Sequence, residues 1–330
     1  MQQAAIVILN FNGEETLRKF LPSVVNHSSY PVIVADNAST DSSVDFLRSH
    51  YPQISIIQME DNFGFAGGYT RALNTIRGEF EYYILLNSDV EVTPHWDENM
   101  IAWLEKRKDV AAVQPKILSY QNPDFFDYAG AAGGYMDNLG YPYCRGRFFE
   151  TIEKDQGQYD DEVEVDWTSG ACMAIRSEAF HRGQGFDPAY FAHMEEIDLC
   201  WKLRRMGYAL YYTGAVKVYH VGGATLSRTS PRKTYLNFRN NLAALKNNMS
   251  PFKWRSVYLM RCLLDLLAAI VFLIQGKGDH SMMIWKAHRD FRKIAKGFDK
   301  YFGPMVHTKG KIKFLLWRYY FLGSRKYLNS

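Results

Sequence analysis

The chain has 330 residues, of which 47% are hydrophobic and 22% are charged. This composition excludes a disordered or low-complexity protein, and the length favours a catalytic domain followed by an appendage. From Pro231 onwards the chain holds 20 Lys and Arg against 4 Asp and Glu, a balance of +16. Residues 1–230 hold 19 Lys and Arg against 31 Asp and Glu, a balance of −12. The net charge of +4 is therefore the sum of an acidic part and a basic part, which we expect to have different partners.

Short apolar runs alternate with helical patterns in the first part of the chain. The predicted strands cover residues 5–9, 31–35, 54–59, 82–86 and 110–113, and the predicted helices cover residues 14–25, 42–49, 67–77 and 95–106. This alternation predicts an α/β fold whose mostly parallel central sheet carries helices on both faces. In such sheets the ligand lies beyond the carboxyl ends of the strands, so the residues after each strand are the candidates for binding.

The pattern changes in the second part of the chain. Residues 119–161 are rich in Gly, Tyr and Asp and predict a long irregular excursion, a βα-like pattern resumes at Val163, and a strand ends at His220. Basic helical patterns follow from Pro231. We therefore predict a catalytic domain over residues 1–230, with a nucleotide-binding half of about 1–118 and an acceptor half of about 119–230. A basic helical C-terminal region over 231–330 completes the chain.

The four cysteines, Cys144, Cys172, Cys200 and Cys262, show neither paired nor metal-type spacing. This pattern predicts a reducing, cytoplasmic location. The N-terminus runs into an apolar segment without a basic stretch or a cleavage site, so we expect no signal peptide.

Polar loops follow the first two predicted strands, as Asn10-Phe11-Asn12-Gly13 and Asp36-Asn37-Ala38-Ser39-Thr40-Asp41. Asn, Asp and Ser are also the ordinary residues of turns and helix caps, and for either loop alone that explanation is equally good. A buried carboxylate such as Asp36 also accepts hydrogen bonds from a base N–H.

The loops after the third and fourth predicted strands carry glycines and a carboxylate. The loop Asp61-Asn62-Phe63-Gly64-Phe65-Ala66-Gly67-Gly68 lets backbone N–H groups approach a phosphate, but its spacing is not that of the dinucleotide fingerprint. Asn87-Ser88-Asp89 ends an apolar strand. In a nucleotide site a carboxylate at this position binds Mg²⁺ or Mn²⁺ together with a diphosphate; the alternative is an Asp in an ordinary turn.

The ordered set of these motifs resembles the family 2 glycosyltransferases of GT-A fold, in the branch that includes bacterial rhamnosyltransferases and other cell-surface polysaccharide enzymes. The resemblance continues through Val113-Gln114-Pro115-Lys116, Asp166-Trp167-Thr168-Ser169-Gly170-Ala171-Cys172, Glu195-Glu196-Ile197-Asp198-Leu199-Cys200-Trp201 and His220-Val221-Gly222-Gly223. It covers roughly residues 4–226, and it rests on the order of the motifs, since none of them is sufficient alone.

The resemblance implies a nucleotide-sugar site with a divalent metal, Mg²⁺ or Mn²⁺. Asp36 matches the residue that reads a uracil or thymine base, Asp89 matches the metal-binding Asp, and His220 matches a His that completes the metal site. The other residues implied in nucleotide-sugar binding are Asn10, Asn12, Asn37, Asn62, Gly67, Arg71, Asn87 and Ser88. The chain departs from the family pattern at Asn87, which replaces an Asp, and at Arg71, which belongs to a segment where many relatives have an Asn.

The resemblance also implies the catalytic base. Glu196, paired with Glu195 at the start of a helix, occupies the base position that is usually an Asp, and Asp198 lies nearby. Trp167, Ser169 and Gly170 resemble the wall between donor and acceptor. The alternatives are that acidic residues favour helix N-termini through the helix dipole and that Trp167 belongs to the core.

These expectations predict an inverting glycosyltransferase that uses a dTDP- or UDP-sugar and a glycan or lipid-linked glycan as acceptor. The alternative is a non-catalytic nucleotide-sugar or glycan-binding protein on the same fold, which only the altered motifs favour. A nicotinamide-dependent enzyme is disfavoured by the missing fingerprint.

The basic C-terminal region contains an apolar segment, residues 257–274, almost long enough to span a bilayer. Arg261 and Asp265 interrupt it, each costing ~2.5–3.5 kcal/mol near a bilayer centre, so a spanning helix is disfavoured. Lys and Arg surround the aromatic residues of this region, which are Trp254, Trp285, Trp317, Tyr319 and Tyr320. This pattern predicts helices that lie on an anionic membrane, at its cytoplasmic face. The alternative is a helical subdomain packed on the core or forming an oligomer; no nucleic-acid recognition motif is present.

Overall fold

A computed structural model describes residues 1–128, 130–222 and 230–327. The strands are β1 Gln2–Asn10, β2 Val32–Asp36, β3 Ser55–Gln58, β4 Phe80–Asn87, β5 Val90–Val92, β6 Val110–Ser119, β7 Gly134–Met136, β8 Pro142–Cys144, β9 Arg147–Phe148, β10 Thr151–Ile152, β11 Glu162–Glu164, β12 Cys172–Arg176 and β13 Ala209–His220. The α-helices are α1 Glu14–His27, α2 Ser43–His50, α3 Gly64–Thr75, α4 Trp96–Glu105, α5 Ser177–Arg182, α6 Glu195–Arg205, α7 Pro231–Asn248, α8 Pro251–Ile274, α9 Gly278–Ile294 and α10 Leu315–Tyr320.

The central sheet has the strand order β11–β13–β6–β12–β4–β1–β2–β3, with β5 paired to β13. Strands β3, β2, β1 and β4 are mutually parallel, as are β6 and β13, whereas β12 runs antiparallel between β4 and β6. Buried apolar clusters cover both faces of this sheet, which is why its strands read as nearly continuous apolar runs. The predicted α/β fold with a mostly parallel sheet is confirmed.

The sheet topology brings the polar ends of distant strands together. In the parallel register Asn10 of β1 lies beside Asp36 of β2, and Leu9 lies beside Asn87 of β4. His220, the last residue of β13, pairs with Val90 of β5, directly after Asp89. Residues separated by more than one hundred positions therefore meet at one edge of the sheet.

The predicted irregular excursion over residues 119–161 is partly wrong, because this segment contains a small antiparallel sheet of β7, β8, β9 and β10. Its strands are only two or three residues long, so they show too little alternation to be recognised in the sequence. Strand β6 is also longer than predicted, because it continues through Pro115. Proline has no backbone N–H to donate, and the register of β6 with β13 shifts next to this residue.

Helices α7 to α10 form the basic C-terminal region, and α7 contacts α6 of the preceding part. Within the described residues, α8 is the helix whose length and composition suffice to cross a membrane, and 22% of its apolar window is buried. Arg261 and Asp265 of α8 face inward and pair with each other, with 3.2 Å between Nε and Oδ1. The opposite face of α8 carries the exposed side chains Leu259, Leu263, Leu266, Leu267, Ile270, Val271 and Ile274.

Candidate active site

A cavity of about 360 Å³ opens at the sheet edge where the polar strand ends meet. Many of the residues predicted from the sequence line it together: Asn12, Asn37, Asn62, Asn87, Ser88, Asp89, Ser169, Gly170, Glu195, Glu196 and His220. We call this the sheet-edge cavity. It is the place in the fold where carboxylate, amide and imidazole groups from distant strands face a common space.

The loops after β1 and β2 are locked together behind this cavity. The Asn10 amide donates to Asp36 Oδ1 over 3.0 Å and to the Ser39 hydroxyl over 3.1 Å, and the Ser39 N–H donates to Asp36 Oδ2. The Asn12 side chain accepts from the Thr40 N–H at 2.7 Å. Asn10 and Asp36 are each only 1% exposed, so they support the cavity wall without lining it.

The glycine-containing loop before α3 forms another side of the cavity. Asn37 donates to Asn62 Oδ1 and to the Gly64 carbonyl, and Asn62 accepts from the Gly64 N–H. Gly64 has a φ of +69°, and a Cβ at this position would lie 2.5 Å from the Phe191 carbonyl oxygen. Glycine is therefore required here by both conformation and space.

Besides Asn10, Asp36 and Trp167, which is described below, three further predicted residues do not line the sheet-edge cavity. Gly67 packs inside α3 against Phe63, and Arg71 is exposed, with its guanidinium 3.6 Å from the ring centre of the same Phe63. Asp198 is buried between Lys202, at 2.6 Å, and the Asn248 amide, at 2.7 Å. The structure therefore gives these three residues packing partners rather than a place on the cavity wall.

His220 lies between two carboxylates at the end of β13. Its Nε2 is 3.2 Å from Asp89 Oδ1, and its Nδ1 is 3.0 Å from Asp127 Oδ2. Burial lowers the pKa of His220, but the hydrogen bonds and charges of Asp127 and Asp89 outweigh this effect and raise it to about 10. The same imidazole, through its hydrogen bond and charge, outweighs burial and lowers the pKa of Asp89.

Asp127 was missed by the sequence reasoning, because it lies in the segment predicted to be irregular. A carboxylate on the far nitrogen of an imidazole fixes the ring's orientation and tautomer, which is the usual arrangement behind a metal-binding His. Asp89 and His220 offer an oxygen and a nitrogen to the cavity. Within the described residues no group of three His, Cys, Asp or Glu side chains is placed to hold a metal ion.

Glu195 and Glu196 begin α6, as predicted, and both line the sheet-edge cavity. Burial raises the pKa of Glu196 to about 7, and burial together with the charge of Glu196 raises the pKa of Glu195 well above its ordinary value. Within the part of the chain that the structure describes, the Oε2 atoms of both residues are buried without a hydrogen-bond partner. A carboxyl group with these properties is suited to exchanging a proton near neutral pH.

The segment before α6 has a strained backbone, with positive φ at Phe191, His193 and Met194. Asn240 of α7 holds it, because its buried amide nitrogen lies 2.7 to 2.9 Å from the carbonyl oxygens of Tyr190, Ala192 and His193. The neighbouring Arg239 donates to the carbonyls of Ala189 and Tyr190. The C-terminal region thus positions the two glutamates, a role that the sequence did not indicate.

Arg232 and Lys233, also from α7, line the sheet-edge cavity opposite the acidic strand ends. Arg232 lies with its guanidinium 4.9 Å from the ring centre of Phe191. In the sequence these cations are part of the basic C-terminal region, and nothing there shows that α7 returns to the strand ends.

A second cavity, of about 580 Å³, lies beside the first. The two cavities share Tyr128, Ser169, His193, Glu196 and Lys233 as lining residues. Trp167 lines the second cavity, and its indole N–H donates to the Tyr135 carbonyl over 3.0 Å. The predicted wall residues Trp167, Ser169 and Gly170 are therefore distributed over the two cavities, and Glu196 faces both.

The last predicted motif, His220-Val221-Gly222-Gly223, is only partly described. The Gly222 N–H donates to Asp89 Oδ2 over 3.2 Å and so supports the carboxylate from its other side. Gly223 and the end of the predicted resemblance, up to residue 226, lie outside the described residues.

Sequence comparisons relate this chain to two rhamnosyltransferases. The N-acetylglucosaminyl-diphospho-decaprenol L-rhamnosyltransferase of Mycobacterium tuberculosis is 26% identical over 234 residues, covering 65% of this chain and 75% of that protein. The rhamnosyltransferase WbbL of Escherichia coli is 25% identical over 221 residues, covering 65% of this chain and 82% of its own. The chain therefore resembles rhamnosyltransferases of this branch, as the sequence analysis predicted.

A solved structure of GalNAc-T7 with UDP, GalNAc and Mn²⁺ shares the GT-A fold, with a TM-score of 0.59 and 17% identity over 91% of this chain and 56% of that chain. The family described as glycosyl transferase family 2 matches residues 5–182, more than half of the chain. This match covers the strand ends after β1, β2, β3 and β4, which carry the polar groups of the sheet-edge cavity. The protein is a glycosyltransferase of family 2.

Proposed function

We propose that this protein is an inverting glycosyltransferase that moves a sugar from a dTDP- or UDP-sugar to a hydroxyl group of a lipid-linked or cell-surface glycan. The observation that carries the proposal is the position of Glu196. Its buried carboxyl group lines both cavities, and its Oε2 has no hydrogen-bond partner within the described residues. A base between a donor cavity and an acceptor cavity is what a single displacement requires.

In this displacement the acceptor hydroxyl oxygen attacks the anomeric carbon on the face opposite to the diphosphate. The Glu196 carboxylate takes the hydroxyl proton as the new C–O bond forms, and the bond to the phosphate oxygen breaks with its electron pair moving to the diphosphate. The configuration at the anomeric carbon is inverted by this one attack. The pKa of Glu196, about 7, keeps a substantial carboxylate fraction at neutral pH together with useful basicity.

We place the donor in the sheet-edge cavity. Asn12, Asn37 and Asn62 supply hydrogen-bonding groups along its wall, and Arg232 and Lys233 supply positive charge for a diphosphate. Asp36 does not line the cavity. Its proposed role in reading the uracil or thymine base is therefore indirect, through its hydrogen bonds with Asn10 and Ser39.

We assign Asp89 and His220 as the protein ligands of a divalent metal, Mg²⁺ or Mn²⁺. Their donor set fits such an ion once the ion displaces the proton that the two carboxylates otherwise hold on Nε2 of His220. An oxygen and a nitrogen then face the cavity, and Asp127 orients the imidazole from behind. When bound, the ion supplies Lewis-acid stabilisation of the charge on the departing diphosphate. The presence of Mn²⁺ with UDP in the GalNAc-T7 structure of the same fold supports this assignment.

We infer that the acceptor is presented at a membrane and that the C-terminal region lies on its surface. The outward face of α8 exposes a row of leucine, isoleucine and valine side chains. Trp285 of α9 and Trp317 of α10 are 61% and 56% exposed. The excess of Lys and Arg in residues 231–330 complements anionic lipid head groups. The lipid-diphosphate acceptor named for the mycobacterial relative supports this location.

Replacement of the proposed base tests the function. Nucleotide-sugars are first screened by thermal shift with Mn²⁺, and sugar transfer from the selected donor is then measured with Glu196→Gln. We expect the substitution to reduce transfer about 10²–10⁴-fold, because the amide cannot accept the proton. Glu178→Gln is the matched control, since Glu178 is an exposed glutamate on α5, away from both cavities.

Transfer by Glu196→Gln at the wild-type rate contradicts the assignment of the base. A wild-type protein that binds a nucleotide-sugar but neither transfers nor hydrolyses it supports the non-catalytic binding protein instead. The anomeric configuration of the product, determined by NMR, tests inversion directly.

A further inference from the structure

His193 lies at the junction of the two cavities, and the proposed displacement gives it no role. It lines both the sheet-edge cavity and the second cavity, as Glu196 does. Its Nε2 is buried and, within the part of the chain that the structure describes, has no hydrogen-bond partner. A buried polar atom without a hydrogen bond costs free energy, so such an atom beside a cavity indicates a partner that comes from a ligand.

The backbone of His193 is held in a conformation that residues with a side chain rarely adopt. Its φ is +71°, and its carbonyl oxygen lies 2.7 Å from the amide nitrogen of Asn240. The next residue, Met194, has a φ of +75°. Conformations of this kind persist where the surrounding structure enforces them, and they cluster at ligand-binding sites. The direction in which the imidazole leaves the backbone is therefore fixed by α7.

The imidazole of His193 is uncharged at neutral pH. Burial lowers its pKa to about 4, and the positive charge of Lys233 acts in the same direction. A neutral imidazole has one N–H donor and one acceptor nitrogen, so Nε2 takes either role according to the tautomer. A hydroxyl group donates and accepts, and it therefore pairs with Nε2 in both tautomers, whereas a phosphate oxygen only accepts. A sugar hydroxyl is thus the substrate group that fits this nitrogen.

We propose that His193 binds a hydroxyl group of the sugar that is transferred and so contributes to the choice of donor. This inference rests on the proposed function, to which it adds a residue that recognises the sugar. Under that function Lys233 binds the donor diphosphate, to which the sugar is directly bonded. His193 and Lys233 line the same junction of the cavities, where the anomeric carbon has to meet the hydroxyl group that Glu196 deprotonates.

The contact requires a small movement of the ring. Because Nε2 is covered in the ligand-free protein, a rotation of the imidazole about its Cβ–Cγ bond has to bring it to the cavity surface. Within the described residues Nε2 has no hydrogen bond that this rotation would break. A donor that offers a hydroxyl group at this position gains a hydrogen bond, and a nucleoside diphosphate without a sugar gains nothing there.

The part of the donor affinity that depends on the sugar tests this contact. Dissociation constants of UDP-glucose, UDP-galactose and dTDP-L-rhamnose are measured for the full-length protein by titration calorimetry with Mn²⁺ present. UDP and dTDP are the reference probes. The ratio between the tightest-binding nucleotide-sugar and the nucleoside diphosphate of the same base isolates the contribution of the sugar, because the base and the diphosphate are common to both.

Two substitutions of His193 separate hydrogen bonding from packing. His193→Phe keeps a flat ring without nitrogen, and it should weaken the nucleotide-sugar about 5–10-fold and leave the nucleoside diphosphate unchanged. His193→Gln should stay within about 3-fold of the wild type, because its amide also donates and accepts. His95→Phe is the matched control, since His95 also has a positive φ, +60°, but is exposed and lines neither cavity.

Wild-type affinity of His193→Phe for the nucleotide-sugar would overturn the inference and leave the proposed function standing. Equal weakening of the nucleotide-sugar and the nucleoside diphosphate would also overturn it, since it would indicate a general disturbance of the sheet-edge cavity. Equal losses in His193→Phe and His193→Gln would overturn it as well, because hydrogen bonding would then not be what the donor requires.

The stability of the ligand-free protein provides a measurement that needs no substrate. Because Nε2 has no partner within the described residues, His193→Phe should melt no lower than His95→Phe, and a much lower melting temperature would assign the imidazole a structural role and overturn the inference. A wild-type protein that binds no nucleotide-sugar contradicts the proposed function, and the inference falls with it. That failure is distinguishable, because it appears before any residue is substituted.

Discussion

Two regions of the protein each pair a histidine with a buried aspartate, and they differ in what these groups face. At the sheet edge, His220 lies between Asp89 and Asp127, and both His220 and Asp89 line a cavity. Polar groups of His220 and Asp89 therefore remain accessible to a ligand although the side chains are almost completely buried, whereas Asp127 lies behind the imidazole.

In the helical region, Asp265 accepts from Arg261 and also lies 2.9 Å from His288 Nε2. Arg261 bonds further to the side-chain oxygen of Asn241, and its guanidinium lies 4.1 Å from the ring centre of Tyr141. Although Arg261 also lines the second cavity, these charges are paired with one another and fix α8 against α7 and the small sheet.

The difference shows that buried charge alone does not identify a functional site. A buried ion pair whose charged groups are all paired within the protein contributes to packing. Removing one member leaves the other as an uncompensated buried charge. A buried pair with an open side towards a cavity is a candidate for ligand binding and proton transfer. Substitutions in the helix cluster should therefore change stability, and substitutions in the sheet-edge triad should change ligand binding.

The largest effect is expected from Arg261→Met, which removes one partner of the helix cluster. Because Asp265 is then left charged and buried, the free energy of unfolding should fall by about 3–5 kcal/mol, measured by urea denaturation. Arg255→Met is the matched control on the exposed side of α8. The double variant Arg261→Met/Asp265→Leu should recover part of the loss, and no recovery would contradict the role of the unpaired carboxylate.

Asp127→Asn tests the sheet-edge triad with a change of charge and almost no change of volume. We expect the affinity for Mn²⁺, measured by calorimetry with UDP present, to fall about 10–100-fold, because the imidazole loses its orienting carboxylate. Asp89→Ala should eliminate the same binding. The control is Asp109→Asn, an exposed aspartate distant from the cavity, and unchanged Mn²⁺ affinity in Asp127→Asn would refute the arrangement.

The pH dependence of transfer tests whether the open carboxylate acts as a base. The active form of Glu196 is deprotonated and its pKa is raised to about 7, so kcat/KM should rise with pH and level off above that value. Below the pKa the rise should approach about tenfold per pH unit, as for a single essential base. A flat profile for the wild-type protein, with the Glu178→Gln control also flat, would argue against Glu196.

The smallest effect is expected on the outer face of α8, where Leu263 is 53% exposed. Leu263→Ala should reduce binding to phosphatidylglycerol vesicles about 5-fold, because less apolar surface enters the lipid, while the free energy of unfolding changes by less than about 0.5 kcal/mol. Glu178→Ala serves as the control in vesicle sedimentation. If Leu263→Ala instead dissociates a dimer and leaves vesicle binding unchanged, a second copy of the chain covers this face.

The strand ends of the sheet were predictable because the sequence signals there are local. Asn12, Asn37, Asn87 and Asp89 follow apolar strands, and parallel pairing places such residues at one edge. The start of α6 at Glu195 was predictable for the same reason, since acidic residues precede a helical pattern.

The supporting residues were not predictable, because their roles arise from contacts between distant parts of the chain. Asp127 reaches His220 across 93 positions, and Asn240 reaches His193 across 47. Arg232 resembled any other cation of the basic tail. Asp198 lies close to Glu195 and Glu196 in the sequence, but on α6 its side chain faces inward and contacts Asn248.

The hold of Asn240 on the segment before Glu195 makes the two parts of the chain interdependent. The carbonyl groups of this strained segment accept hydrogen bonds from Asn240 of α7. This helix begins only after the region that the family model matches. A displacement of α7 would therefore move the backbone that precedes Glu195 and Glu196. Under the proposed function, contact of the C-terminal helices with a membrane would reach the proposed base by this route.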